Sequence, residues 1–180
     1  NIYSYFFAED EYIKVPYNGA TIKVNIYSTT DWTVLNYDSN YVKDIYPMSG
    51  EAGTTQLTIQ YKKNDDICRE NKFDILLRTE NNVVDDLVIT IEQQPQLDKV
   101  VKLSGKVKNI LNYGNSIYIR GVNDNVIYNS VPIDEYSGEF SLYVPKDVEV
   151  WVELHNEVQE SIEYKEKYIF SNDYYLNIVL

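Results

Sequence analysis

The side chains able to do chemistry in this chain are few and scattered. His155 is the only histidine and Cys68 the only cysteine in 180 residues. With one of each, no His-based metal cluster, thiolate site, disulfide framework or serine-type triad can be assembled. Asp65-Asp66 and Asp85-Asp86 are adjacent carboxylate pairs. Acid–base carboxylates must flank a cleft, however, and a calcium loop needs alternating oxygen ligands around a sharp glycine turn. Neither pair sits in such a pattern, so both read as solvated turns, as does Asn123-Asp124-Asn125. No glycine-rich phosphate loop or nucleophile elbow is present. His155 ends an amphipathic run and reads as a surface residue. The expectation is a protein that is not an enzyme, with no cofactor and no metal ligands.

The aromatic residues carry more. There are 18 tyrosines and 2 tryptophans, and tyrosine suits both a strand and a flat, half-polar contact surface. Trp32 shares its strand face with Val34 and reads as core. Trp151 has Glu149 and Glu153 as its period-two neighbours, opposite Val148, Val150, Val152 and Leu154, so it points outward. By the same alternation Tyr118 stands with Arg120, Tyr143 with Ser141 and Tyr175 with Asn177. If their strands share one sheet, Tyr118, Tyr143, Trp151 and Tyr175 form one outward platform for stacking a sugar ring. The competing readings are packing against a partner domain or against residues 156–167, or tyrosines scattered over the surface.

These side chains must be positioned by strands. Ile22, Val24 and Ile26 alternate with polar residues, as do Leu57, Ile59 and Tyr61, then Phe73, Ile75 and Leu77. Residues 1–8 read as a tether or a first strand, 36–53 as loop-rich and 62–71 as a polar connection. Leu87 to Ile91 is a strand that frays over Glu92-Gln93-Gln94 and stops at Pro95, and a new pattern starts at Val100. Beyond this seam, turns are expected at Asn112 to Asn115 and around Gly138, with strands near 117–120, 126–128, 140–144, 148–154 and 174–180. Residues 156–167 are charged and read as a loop or a short helical excursion. No segment holds helical spacing. The chain therefore reads as all-β, two tandem β-sandwich domains divided into 1–94 and 95–180.

The net charge is −12, with 16 basic and 28 acidic residues. Nucleic acid binding needs clustered Lys and Arg and is excluded as a primary role, and anionic membrane surfaces are unsuited for the same reason. The acidity suits solubility, or the handling of cations or neutral ligands. No apolar run is long enough to span a bilayer. The chain starts at Asn1 without a methionine, and the expectation is a mature or trimmed piece whose export signal is not present in it.

Residues from about 19 to 94 resemble a BACON domain (Bacteroidetes-associated carbohydrate-binding often N-terminal). The features are Trp32-Thr33-Val34, the glycine turn from Gly50 to Gly53, Leu57 to Tyr61, Asn64, Arg69, and Ile89 to Gln93. The family's second tryptophan is replaced by Tyr41-Val42. Residues 103 to about 154 look like a carboxypeptidase regulatory-like, transthyretin-type domain, through Gly105-Lys106-Val107, Gly138-Glu139-Phe140-Ser141-Leu142 and Val144-Pro145. The first resemblance implies an immunoglobulin-like sandwich on an exported or lipid-anchored protein, with carbohydrate binding proposed for such domains. The second implies an accessory, non-catalytic module. Together they lead to the expectation of an extracellular or outer-membrane-anchored module of a Bacteroidetes-type protein, binding a polysaccharide or other glycan or spacing its neighbours, with protein partners at the cell surface. The alternative is an adhesin or pilus-type subunit that donates residues 1–8 or 174–180 to a neighbour's sheet.

Overall fold

The computed structural model describes residues 3–110 and 113–180. The start of the expected N-terminal strand and Asn112 of the expected turn lie outside the described residues. The backbone divides into two compact units, Asn1–Asp65 with Glu70–Gln94, and Asp66–Arg69 with Pro95–Leu180. The four residues 66–69, which the seam at Pro95 leaves in the first half, thus belong to the second unit.

The first unit holds β1 (Phe6–Ala8), β2 (Tyr12–Val15), β3 (Ala20–Ser28), β4 (Trp32–Tyr37), β5 (Val42–Tyr46), β6 (Ser49–Gly50), β7 (Gly53–Tyr61), β8 (Asn71–Thr79) and β9 (Leu87–Gln93). They form two sheets, β1-β3-β7-β5 and β2-β9-β8-β4-β6. The leading strand is split: β1 runs antiparallel to β3 in one sheet, and β2 runs parallel to β9 in the other. This is an immunoglobulin-like sandwich. The alternating apolar residues of both sheets meet in one cluster, with Val24, Ile26, Leu57 and Ile59 from the first and Trp32, Ile75, Leu77, Ile89 and Ile91 from the second. Trp32 is 1% exposed, as its pairing with Val34 predicts. Gly50 is required beside it, because a Cβ there would stand 2.5 Å from the indole.

Two local expectations need correction. Residues 36–53 carry β5 and β6 rather than loop alone. Gln93 does not fray: it is the last residue of β9 and fully buried. Its Nε2 donates to the carbonyls of Tyr17 and Lys62, at 2.9 and 2.8 Å. A buried amide must find such partners, and turn backbone supplies them.

The second unit holds β10 (Val100–Lys108), β11 (Asn115–Gly121), β12 (Ile127–Pro132), β13 (Glu139–Pro145), β14 (Glu149–Asn156), β15 (Ser161–Ile169) and β16 (Tyr174–Val179). The sheets are β13-β10-β16 and β12-β11-β14-β15, a transthyretin-like order in which β10 and β16 run parallel. Leu103, Val107, Leu142, Val144 and Ile178 of the first sheet pack on Ile117, Ile119, Val150, Val152 and Leu154 of the second. Gly105 lets β16 and Phe140 approach β10 closely: a Cβ there would lie 2.2 Å from the Leu176 carbonyl oxygen. Gly138, at φ +75°, turns the chain into β13 where a side chain would strike the Val107 carbonyl.

Residues 156–167 are neither loop nor helix beyond the turn at 157–160, because most of the stretch is β15. Three-residue blocks of apolar signal are missing there because β15 is an edge strand with charges on both faces. On one face Glu166 accepts hydrogen bonds from the hydroxyls of Tyr164 and Tyr168, at 3.0 and 3.1 Å. An inward carboxylate and outward lysines are features that blunt a sheet edge.

Candidate functional site

The four predicted platform residues do not form one surface. Tyr118 and Trp151 lie on β11 and β14, in the four-stranded sheet, whereas Tyr143 and Tyr175 lie on β13 and β16, in the three-stranded sheet. All four point away from the core of their own sheet, so the pairs face opposite sides of the sandwich. Alternation reads a side chain's face correctly, but it is blind to which sheet a strand joins.

The four-stranded sheet carries a charged cluster on its outer face. Arg120 is paired across strands with Trp151, Tyr118 with Glu153, and Ser116 with His155. β15 then places Lys167 beside Trp151 and Lys165 beside Glu153. Glu153 is outward by alternation yet only 1% exposed, because its neighbours cover it. Arg120 Nε donates to Glu153 Oε1 at 2.9 Å, His155 Nε2 lies 2.7 Å from Oε2, and Lys165 Nζ is 3.9 Å from Oε1. Burial pushes the Glu153 carboxyl up, but hydrogen bonds and charge from His155 and Arg120 outweigh it and hold the group below the usual carboxylate range. His155 is therefore no free surface residue. Its ring also packs on Tyr118, with centroids 4.3 Å apart, and the Tyr118 hydroxyl donates to Glu157 at 2.7 Å. That carboxylate raises the phenol's pKa above its ordinary value.

Trp151 does not offer a bare ring. The ammonium groups of Lys165 and Lys167 lie 4.6 and 4.9 Å from its centroid, within cation–π range. The outer face of the three-stranded sheet is different in kind. Ser104 and Ser141 are cross-strand partners with hydroxyls 3.3 Å apart. Tyr175 is the partner of Ser104 on the other side, and Tyr143 stands opposite Lys102. A groove of about 420 Å³ opens here, lined by Lys102, Ser104, Glu139, Ser141 and Tyr175 among others. Tyr175 is 57% exposed. Sequence reasoning found the two tyrosines but missed the serines, lysine and glutamate, since polar outward residues are ordinary on any strand.

Other reactive types are built into structure. Cys68 is buried, and burial pushes its thiol up to about 12. Asp66 accepts from the amides of Cys68 and Arg69, and Asp86 binds Arg78 through two hydrogen bonds at 2.8 and 2.7 Å. Asp124 accepts from the Tyr128 hydroxyl and the Val126 amide. Among the described residues no group of three or more His, Cys, Asp and Glu could hold a metal ion. Among the described residues no helix is long and apolar enough to cross a membrane.

Neither a family model nor a curated protein matches this sequence. Among solved structures, similarity extends to a Bacteroides ovatus GH5 xyloglucanase in complex with a XXXG heptasaccharide, at 15% identity and TM-score 0.44, over 52% of this chain and 19% of that one. The E. coli chaperone DraB is similar at 8% identity and TM-score 0.42, over 93% and 97% of the two chains. BcpA, the major pilin subunit of Bacillus cereus, is similar at 11% identity and TM-score 0.34, over 98% and 69%. At these scores the likeness carries no functional argument, and the reading of this chain rests on its own two outward faces.

Proposed function

We propose that this chain is a non-catalytic module of an exported surface protein, of the kind its halves resemble, and that its second unit recognises a glycan along the three-stranded sheet. One observation carries the reading: Tyr175 and a pair of serine hydroxyls line a single shallow groove, with Lys102 and Glu139 at its margins. An aromatic face takes the C–H face of a sugar, and hydroxyls, an ammonium and a carboxylate satisfy its hydroxyl groups. The test is a glycan array of plant and host polysaccharides against wild type, Tyr175→Ala and Trp151→Ala. Binding lost in Tyr175→Ala and retained in Trp151→Ala is expected; silence of the wild type refutes recognition.

A second reading, a structural subunit assembling through strand addition, is favoured by β16. Among the described residues this six-residue strand pairs only with β10, which leaves its other edge for a strand from another chain. As a donor β16 is poorly suited, because Leu176 and Ile178 are buried in its own core. Sedimentation across a range of concentrations separates the two readings, since a subunit forms oligomers and a recognition module stays monomeric.

A further inference from the structure

We infer that the outer face of the four-stranded sheet is a second, separate binding site, and that it takes an anionic saccharide bearing carboxylate or sulfate groups. Three of the chain's 16 basic residues, Arg120, Lys165 and Lys167, converge around Trp151 in a protein of net charge −12. Two of them, Arg120 and Lys165, have Glu153 as a carboxylate partner. Its two oxygens are taken by Arg120 and His155, and Lys165 reaches it at 3.9 Å. Lys167 has no carboxylate within ion-pair distance among the described residues; its ammonium group lies over the indole face.

The arrangement fits an acidic sugar better than a neutral one. A ring stacked on Trp151 must displace the two ammonium groups from the indole and so loses the cation–π attraction of both. A neutral sugar returns nothing for that loss, whereas a uronate or sulfate gives each ammonium an anion at the ring edge. Buried Glu153 meanwhile fixes Arg120 and His155, so the floor of the site is rigid before ligand arrives. Glu149 and Glu163 border the face on the same side of their strands, and Glu157 is engaged by Tyr118. Glu163 stands two residues before Lys165 on β15 and Glu149 two residues before Trp151 on β14, so they flank the lysine pair and leave the space over the indole, between the two ammonium groups, for the anion.

The probe is an oligogalacturonate, titrated into the whole chain at low salt and followed by tryptophan fluorescence, with Trp32 buried in the other unit as a constant background. Saturable quenching is expected, weakened at least tenfold in Lys165→Gln/Lys167→Gln and falling steeply with added salt. A neutral galactan of equal length should leave the signal unchanged, and Tyr175→Ala should bind oligogalacturonate as wild type does. That last arm makes failure here distinct from failure of the groove reading. No saturable binding, or binding unaffected by the double lysine substitution, overturns the inference. Equal binding of poly-glutamate overturns the assignment to a saccharide.

Discussion

Replacing Glu153 by Gln removes one negative charge from a carboxylate that is 1% exposed while keeping its shape. The carboxylate accepts two short bonds, from Arg120 at 2.9 Å and at His155 at 2.7 Å. The amide keeps one oxygen and so one of these acceptors, and it presents a donor to the other partner. The expected loss is one charge-assisted hydrogen bond of about 1.5–3 kcal/mol. For a unit of this size, about 2 kcal/mol corresponds to a fall in Tm of about 8–16 °C. The assay is thermal unfolding followed by Trp151 fluorescence, with both chains in a Trp32→Phe background so that only the second unit reports. The pH dependence has a fixed sign. The folded Glu153 carboxyl lies below its ordinary value, so its contribution is complete above the unfolded value of about 4.3 and fades as pH falls through the lower folded one. The wild-type advantage over Glu153→Gln should shrink in that acid window and be constant above it. A Gln variant melting within about 2 °C of the reference at pH 7 refutes the idea that this carboxylate holds the face together.

Gly105→Ala should destabilise the second unit by about 1–3 kcal/mol or more in urea unfolding, because its Cβ would sit 2.2 Å from a backbone oxygen of β16 and 2.5 Å from Phe140. Gln93→Leu should cost the first unit about 2–4 kcal/mol by the same measurement, since the carbonyls of Tyr17 and Lys62 lose their buried donor. Cys68, with its thiol pushed up to about 12 and its side chain buried, should react with iodoacetamide at pH 8 roughly 100-fold more slowly than in denaturant. Labelling of the native protein at the denatured rate would show that residues 66–69 open readily.

Much of the fold is legible along the chain because strand burial has period two. Val24 and Ile26, Leu57 and Ile59, Val150 and Val152 announce their own faces, and Trp32 beside Val34 announces a buried indole. Where a strand lacks that alternation, it is invisible. β15 is an edge strand in which Glu166 interrupts the core-side row of Tyr164 and Tyr168, so its alternation is too weak to mark a strand without β14 beside it. Gln93 looks like a fraying end because its partners, Tyr17 and Lys62, are distant in sequence.

The sites divide along the same line. Outward orientation of Tyr118, Tyr143, Trp151 and Tyr175 is a property of each strand alone and follows from local sequence. Their separation into two pairs depends on hydrogen bonding between strands, which joins β11 to β14 and β10 to β16 across long stretches of chain. The same pairing brings Lys165 and Lys167 over Trp151 and seals Glu153 beneath Arg120 and His155. Side-chain type and face were set by the sequence; company was set by tertiary structure, because only pairing between strands decides which charges share a surface.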